Sequence, residues 1–155
     1  MHPNCVAVDA ALEAAGLPGR VRILDEAAPT AAAAAALLGV EVGAIANSLV
    51  FATAEDTPLL VLTSGAHRVD TARVAALVGT SGLARARPEF VLAATGQRIG
   101  GVAPVGHPAP LATVVDNALA AYPQVWAAGG VPHAVFPTTF DELVRLTGGT
   151  PADVA

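Results

Sequence analysis

Ala44-Ile45-Ala46-Asn47-Ser48-Leu49-Val50-Phe51-Ala52-Thr53, then the turn Glu55-Asp56-Thr57, then Pro58-Leu59-Leu60-Val61-Leu62-Thr63-Ser64 is the stretch from which the fold follows. Two apolar runs of strand length, separated by a short polar turn, predict a hairpin of buried strands. Working outward, Thr30 is placed to cap an Ala-rich helix that Gly39 ends, and Val21-Arg22-Ile23-Leu24-Asp25 alternates like a strand. Before it, Asn4 is a candidate cap for a helix reaching about Gly16, with Val6, Ala10, Leu12 and Leu17 on its inner side.

On the other side of the hairpin, Asp70 is a cap for a helix through Val78, residues 83–87 suit a short strand, and Pro88 opens a helix to about Thr95. Residues 111–115, 125–128 and 134–136 read as strands, with a short helix at 117–122. Thr139-Phe140-Asp141-Glu142 is a capping box for a last helix ending at Gly148. Strands and helices interleave throughout and hairpins occur among them, which predicts an α/β fold with a mixed, curved sheet. No internal repeat or linker is visible, so a single domain over residues 1–155 is expected.

Composition narrows the function. Hydrophobic residues make up 54% of the chain and aromatic ones 4%, so Val, Leu and Ala must build the core. The net charge is −5, and all eight basic residues are arginines. Without lysine, no side-chain Schiff base, amine base or ammonium charge is available. The weak basic balance argues against gripping a nucleic-acid duplex, so DNA is not expected and an RNA partner would be touched over a small area. Cys5 is the only cysteine, which excludes an intramolecular disulfide and a thiolate metal cluster. The longest uncharged run, residues 117–140, is broken by Pro123, Gly129, Gly130, Pro132 and Pro137, so it is no spanning helix. No secretory signal is apparent, and a cytoplasmic protein is expected.

The densest concentration of chemistry is Thr95-Gly96-Gln97-Arg98-Ile99-Gly100-Gly101-Val102-Ala103-Pro104-Val105-Gly106-His107. Glycine lets a backbone adopt φ > 0 and approach a ligand, while proline stiffens it. Main-chain N–H groups of Gly100, Gly101 and Val102 are candidate donors to a developing oxyanion. The plain alternative is a turn between strands. His107 follows this loop and His133 follows Gly129-Gly130, so both are candidates to reach one pocket, as base or as substrate contact. His67 beside Arg68 reads as structural or phosphate-facing, and His2 as disordered. Arg68 and Asp70 suit a local ion pair, Trp126 the core, and Ser48 a pocket hydroxyl on a strand rather than a nucleophile. Arg85, Arg87 and Arg98 are either solvated or phosphate contacts. The histidines lack cysteine or carboxylate partners at metal-ligand spacing, so neither a metal nor another cofactor is expected.

The order of segments Leu37-Leu38-Gly39-Val40, Ile45-Ala46-Asn47-Ser48-Leu49-Val50-Phe51, Ser64-Gly65-Ala66-His67-Arg68-Val69-Asp70, Gly100-Gly101-Val102-Ala103-Pro104-Val105-Gly106 and Val125-Trp126-Ala127-Ala128-Gly129-Gly130 resembles the YbaK/EbsC family over roughly residues 20–154. These are free-standing relatives of the editing domain inserted in bacterial prolyl-tRNA synthetases. The resemblance implies a barrel-like mixed sheet wrapped by helices. It also implies hydrolysis of the ester joining a wrong, small amino acid to the 3′ end of tRNA, with a synthetase or elongation factor as a further partner. The family's Gly-x-x-x-Pro loop falls on Gly100 and Pro104, near which the family's backbone groups contact the aminoacyl ester; Gly106, His107, Gly129, His133 and Ser48 are further expected substrate contacts, from their own placement in this sequence. Many members carry a functional lysine where this chain has Asn47, which hydrogen-bonds without charge. That departure keeps two other functions open: a non-catalytic module sensing an aminoacyl-tRNA or amino-acid-like ligand, and an esterase of small aminoacyl esters.

Overall fold

A computed structural model describes residues 1–155. Its strands are β1 (Arg22–Ile23), β2 (Ile45–Thr53), β3 (Pro58–Ser64), β4 (Leu83–Arg85), β5 (Ala112–Asp116), β6 (Val125–Ala128), β7 (Ala134–Thr138) and β8 (Thr150–Ala152). Its helices are α1 (Pro3–Ala14), α2 (Ala31–Leu38), α3 (Thr71–Val78), α4 (Pro88–Thr95) and α5 (Phe140–Thr147), with 3-10 turns at Val42–Ala44 and Asn117–Ala121. The eight strands form one mixed sheet in the order β1-β7-β6-β2-β3-β5-β8, with β4 also on β2, and the sheet does not close.

The predicted hairpin is the centre of this sheet. β2 and β3 pair antiparallel from Ala46↔Ser64 to Ala52↔Pro58, and Asp56 makes the turn with φ 58°. Parallel pairings of β3 with β5 and of β2 with β6 make the sheet mixed. Side chains on the central strands alternate between two buried faces. Ala46, Val50, Leu60, Leu62 and Val115 enter the largest apolar cluster, with Val8 and Leu12 of α1, Val91 of α4 and Leu143 of α5. Phe51, Leu59, Val61 and Val114 face the other way, against Val74 of α3. Ile45, Trp126 and Val135 share that second face with Ala34 and Ala35 of α2, whose small side chains bring the helix close to the sheet.

Helix caps follow the sequence at most ends. Thr30, Asp70 and Thr139 accept from the N–H groups of Ala33, Arg73 and Glu142, and Gly39 closes α2 in the left-handed conformation. Several expectations need correction. The N-cap of α1 is His2, whose Nδ1 accepts from Asn4 N–H, so His2 is ordered and Asn4 lies inside the helix. The inner face of α1 is Cys5, Val8 and Leu12, while Val6 is 53% exposed and Ala10 is exposed. Asp70 caps α3 and makes no ion pair with Arg68; His67 instead places its Nδ1 2.8 Å from Asp116 Oδ2. The capping box is half-formed, because Glu142 Oε1 accepts from Thr138 Oγ1 rather than from the Thr139 N–H. β8, beside β5, was not expected.

Candidate functional site

The glycine-rich loop leaves α4 through Gly96 and is held from inside by Gln97, which is 1% exposed. Gln97 Oε1 accepts from Ala103 N–H (2.7 Å), and its Nε2 donates to Val105 O (3.2 Å). One buried amide thereby does for the loop what a neighbouring strand does for a strand. Between its anchor points, residues 98–101 form a turn in which Gly101 N–H donates to Arg98 O (3.2 Å). Gly100 has φ +98°, a conformation costly for other residues. Gly101 lies against the backbone of Val131 and Pro132, where a Cβ would come within 2.4 Å of Val131 C. Asn4 Nδ2 donates to Gly130 O (3.1 Å), fastening the second diglycine segment to α1. The N–H groups of Gly100 and Val102 make no hydrogen bond within the chain.

Those two residues border a cavity of about 50 Å³. Its wall includes Asn47 and Ser48 of β2, Trp126 of β6, Ala34 of α2, and Pro29 and Pro132 from the flanking loops. A wider hollow of about 240 Å³ adjoins it, sharing Pro29, Thr30, Asn47, Ser48, Gly100 and Val102 and ending at Arg85. Arg85 is the only charged residue in either wall, and its guanidinium lies 5.9 Å from the Phe51 ring centroid. Trp126 belongs to both core and cavity wall, and Arg22 covers its ring at 5.0 Å.

Asn47, Ser48, Gly100 and Val102 therefore meet. Gly101 stands behind them with its N–H engaged, so it is a spacer for the turn and not a free donor. Pro104, Gly106 and His107 border a separate hollow of about 160 Å³ with Leu111 and Leu146. His107 Nε2 lies 2.8 Å from Ala103 O, and burial pulls its pKa below 6.5 despite that bond. Gly129 N–H donates to Ala134 O, and exposed His133 gives its carbonyl to Leu24 N–H; neither borders the Asn47 cavity. Neither histidine lines the Asn47 cavity: Gln97 holds the segment after Val102 so that His107 borders a separate hollow, and His133, although it follows the Val131-Pro132 contact with Gly101, is exposed.

A second polar cluster surrounds Asp116, which is 1% exposed. Its Oδ2 accepts from Ser64 N–H (2.9 Å) and lies 2.8 Å from His67 Nδ1, and its Oδ1 accepts from Ala118 N–H (2.9 Å). Ser64 Oγ donates to Gly43 O (2.8 Å), away from His67, so the three do not form a nucleophilic relay. Cys5 is fully buried, which raises its thiol pKa. Nowhere do three or more His, Cys, Asp or Glu side chains gather as a metal site. No helix is long and apolar enough to cross a membrane.

An open mixed sheet with helices on both faces defines an α/β domain, and two unengaged loop amides border a cavity beside its central strand. The aminoacyl-tRNA editing domain family model matches residues 25–146, and the chain belongs to that family. Among solved structures, a candidate trans-editing enzyme for prolyl-tRNA synthetase is 44% identical, with 99% of this chain and 98% of that chain covered and a TM-score of 0.91. A protein from computational epitope-backbone grafting onto scaffolds is 42% identical over 99% and 97% of the two chains, with a TM-score of 0.90. Hypothetical protein APE2540 is 33% identical over 96% and 98%, with a TM-score of 0.88. No curated protein matches.

Proposed function

We propose that this chain is a trans-acting aminoacyl-tRNA deacylase that removes a small, wrongly attached amino acid, and that residues 1–155 act as one unit. The observation that carries the reading is the pair of unengaged N–H groups at Gly100 and Val102 beside a 50 Å³ cavity. A water needs roughly 10–15 Å³ of such space, so the cavity suits a side chain of only a few heavy atoms. The acyl group rests there, and the terminal nucleoside lies in the adjoining 240 Å³ hollow.

Water adds to the ester carbonyl, the Gly100 and Val102 amides receive the oxyanion, and the acyl C–O bond then breaks. The products are a free amino acid and a tRNA with its 3′-hydroxyl restored. One well-placed donor of this kind is worth roughly 10²–10³ in rate. The ribose 2′-hydroxyl orients the water, and Asn47 supplies neutral hydrogen bonds at the mouth. A size filter of this sort complements a synthetase, since one methylene gives only about 1–3 kcal/mol of discrimination. Acting on charged tRNA in the cytoplasm, the protein takes its substrate after release from a synthetase or before delivery to an elongation factor.

Incubation with a panel of mischarged tRNAs tests the reading. At least one small-amino-acid ester should disappear faster than in buffer, and loss of none refutes hydrolysis. Asn47 supports a second reading, a module that binds the charged 3′ end without turnover. Binding of an aminoacyl-adenosine mimic together with an inert panel would favour that reading.

A further inference from the structure

One edge of β2 is paired along its length by β3, whereas the other is divided between two short neighbours. β6 takes Ile45 and Ala46, and β4 takes Phe51 to Thr53. Ala86 N–H reaches Val50 O, which leaves an unpaired window at residues 47–49. The bond from Gly65 N–H to Ile45 O sets the phase of the ladder. Ile45, Asn47 and Leu49 turn their main-chain groups toward β3, and Ser48 turns its N–H and C=O into the window. The Ser48 hydroxyl has no hydrogen-bond partner although its oxygen is shut off from water. Such groups are rare and destabilising in folded proteins, and Ser48 borders both hollows of the site.

An aminoacyl ester presents an acceptor, the acyl oxygen, and a cationic donor, the α-ammonium. The free N–H groups of Gly100 and Val102 match the first. For the second, neither wall contains a carboxylate. Ser48 offers two acceptors from one residue, its main-chain carbonyl, which faces the window, and its unpartnered hydroxyl, which reaches the ligand when the side chain turns out of its shielded position. We infer that Ser48 is the specificity-determining residue that holds the substrate's α-ammonium at the open edge of β2, so that esters with a free amino group are taken and N-acylated ones are refused. The ammonium occupies the place that a neighbouring strand's N–H would fill. This inference rests on the aminoacyl-ester reading of the site, but its test needs only binding.

The probes are 3′-alanylamido-3′-deoxyadenosine, which cannot be hydrolysed as an ester, and its N-acetyl derivative, titrated by calorimetry into wild type and Ser48→Ala. Wild type should bind the free amine at least tenfold more tightly. Ser48→Ala should cut that ratio by about tenfold, the equivalent of a hydrogen bond to a charged group. Equal binding of both probes by wild type, no binding of either, or a ratio unchanged in Ser48→Ala overturns the inference. Thermal unfolding without ligand is a second, independent measure. Removing an unpartnered buried hydroxyl should leave the melting temperature unchanged or raise it by about 2–4 °C. A fall of that size would reveal an internal partner and overturn the inference. A free-amine preference that Ser48→Ala loses, in a protein that hydrolyses no mischarged tRNA, would uphold Ser48 and refute the hydrolase.

Discussion

Replacing Gly101 by alanine places a Cβ 2.4 Å from Val131 C, 2.6 Å from Val131 Cα and 2.7 Å from Pro132 N. All three are backbone atoms, so no side chain can swing aside. Ordinary contact begins near 3.4 Å, and the difference from 2.4 Å requires the turn and the segment opposite to separate by about 1 Å. Overpacking of this kind costs about 1–3 kcal/mol. A protein of this size then melts roughly 2–4 °C lower per kcal/mol. The same displacement moves the Gly100 and Val102 amides relative to Asn47 and Ser48, and a 1 Å misplacement of a catalytic group can cost about 10²-fold. Gly101→Ala should therefore lower kcat/KM on a mischarged tRNA by about 10²-fold, measured as release of labelled amino acid, while calorimetry reports the lower melting point. Activity within about threefold of wild type would refute the claim that this backbone contact sets the donors.

Asn47→Ala removes neutral hydrogen bonds of about 0.5–1.5 kcal/mol and should reduce deacylation only about two- to tenfold, less than Gly101→Ala. Arg85→Gln should lower the slope of log affinity for charged tRNA against log salt by about 0.7, the loss of one single-strand phosphate contact; an unchanged slope would make Arg85 a solvated surface charge. Asp116→Ala strips acceptors from the Ser64 and Ala118 amides, at about 1–3 kcal/mol for each donor left unpaired, and should lower the melting temperature by several degrees. His107 titrates lower folded than unfolded, so the unfolded chain binds more protons between the two values and stability rises with pH there. Its contribution is complete above pH 6.5 and is lost as pH falls through the folded pKa. Denaturant unfolding at several pH values should show that slope in wild type and not in His107→Gln.

The hairpin, the α2 and α3 caps and the strands β5, β6 and β7 were legible because local chemistry decides them. Each is a turn residue, a capping oxygen or an apolar run of strand length bounded by turn residues. α1 was mis-phased for a specific reason. Placing Val6 and Ala10 on the inner side, and leaving Cys5 out of the apolar count, hides the buried series Cys5, Val8, Leu12. At the site, Asn47, Ser48, Gly100 and Val102 could be named from the sequence, but their grouping depends on pairings between distant segments. The residue that goes unnoticed is Gln97, 1% exposed yet polar, and it explains why Val102 faces the cavity while His107 does not. The signal available was a lone amide within an apolar, glycine-rich segment. No local rule shows that both ends of that amide would be consumed by the loop itself.

Two strands that stop short make the hollow: β6 ends its contact with β2 at Ala46, and β4 begins its own at Phe51. Binding capacity here is a property of missing ladder rungs as much as of the side chains around them. Lengthening either neighbour by a couple of residues would zip the vacancy shut while leaving every named group in the chain. On the proposed reading, acyl preference depends on where those two short strands terminate, a variable that residue-by-residue comparison of the lining would overlook.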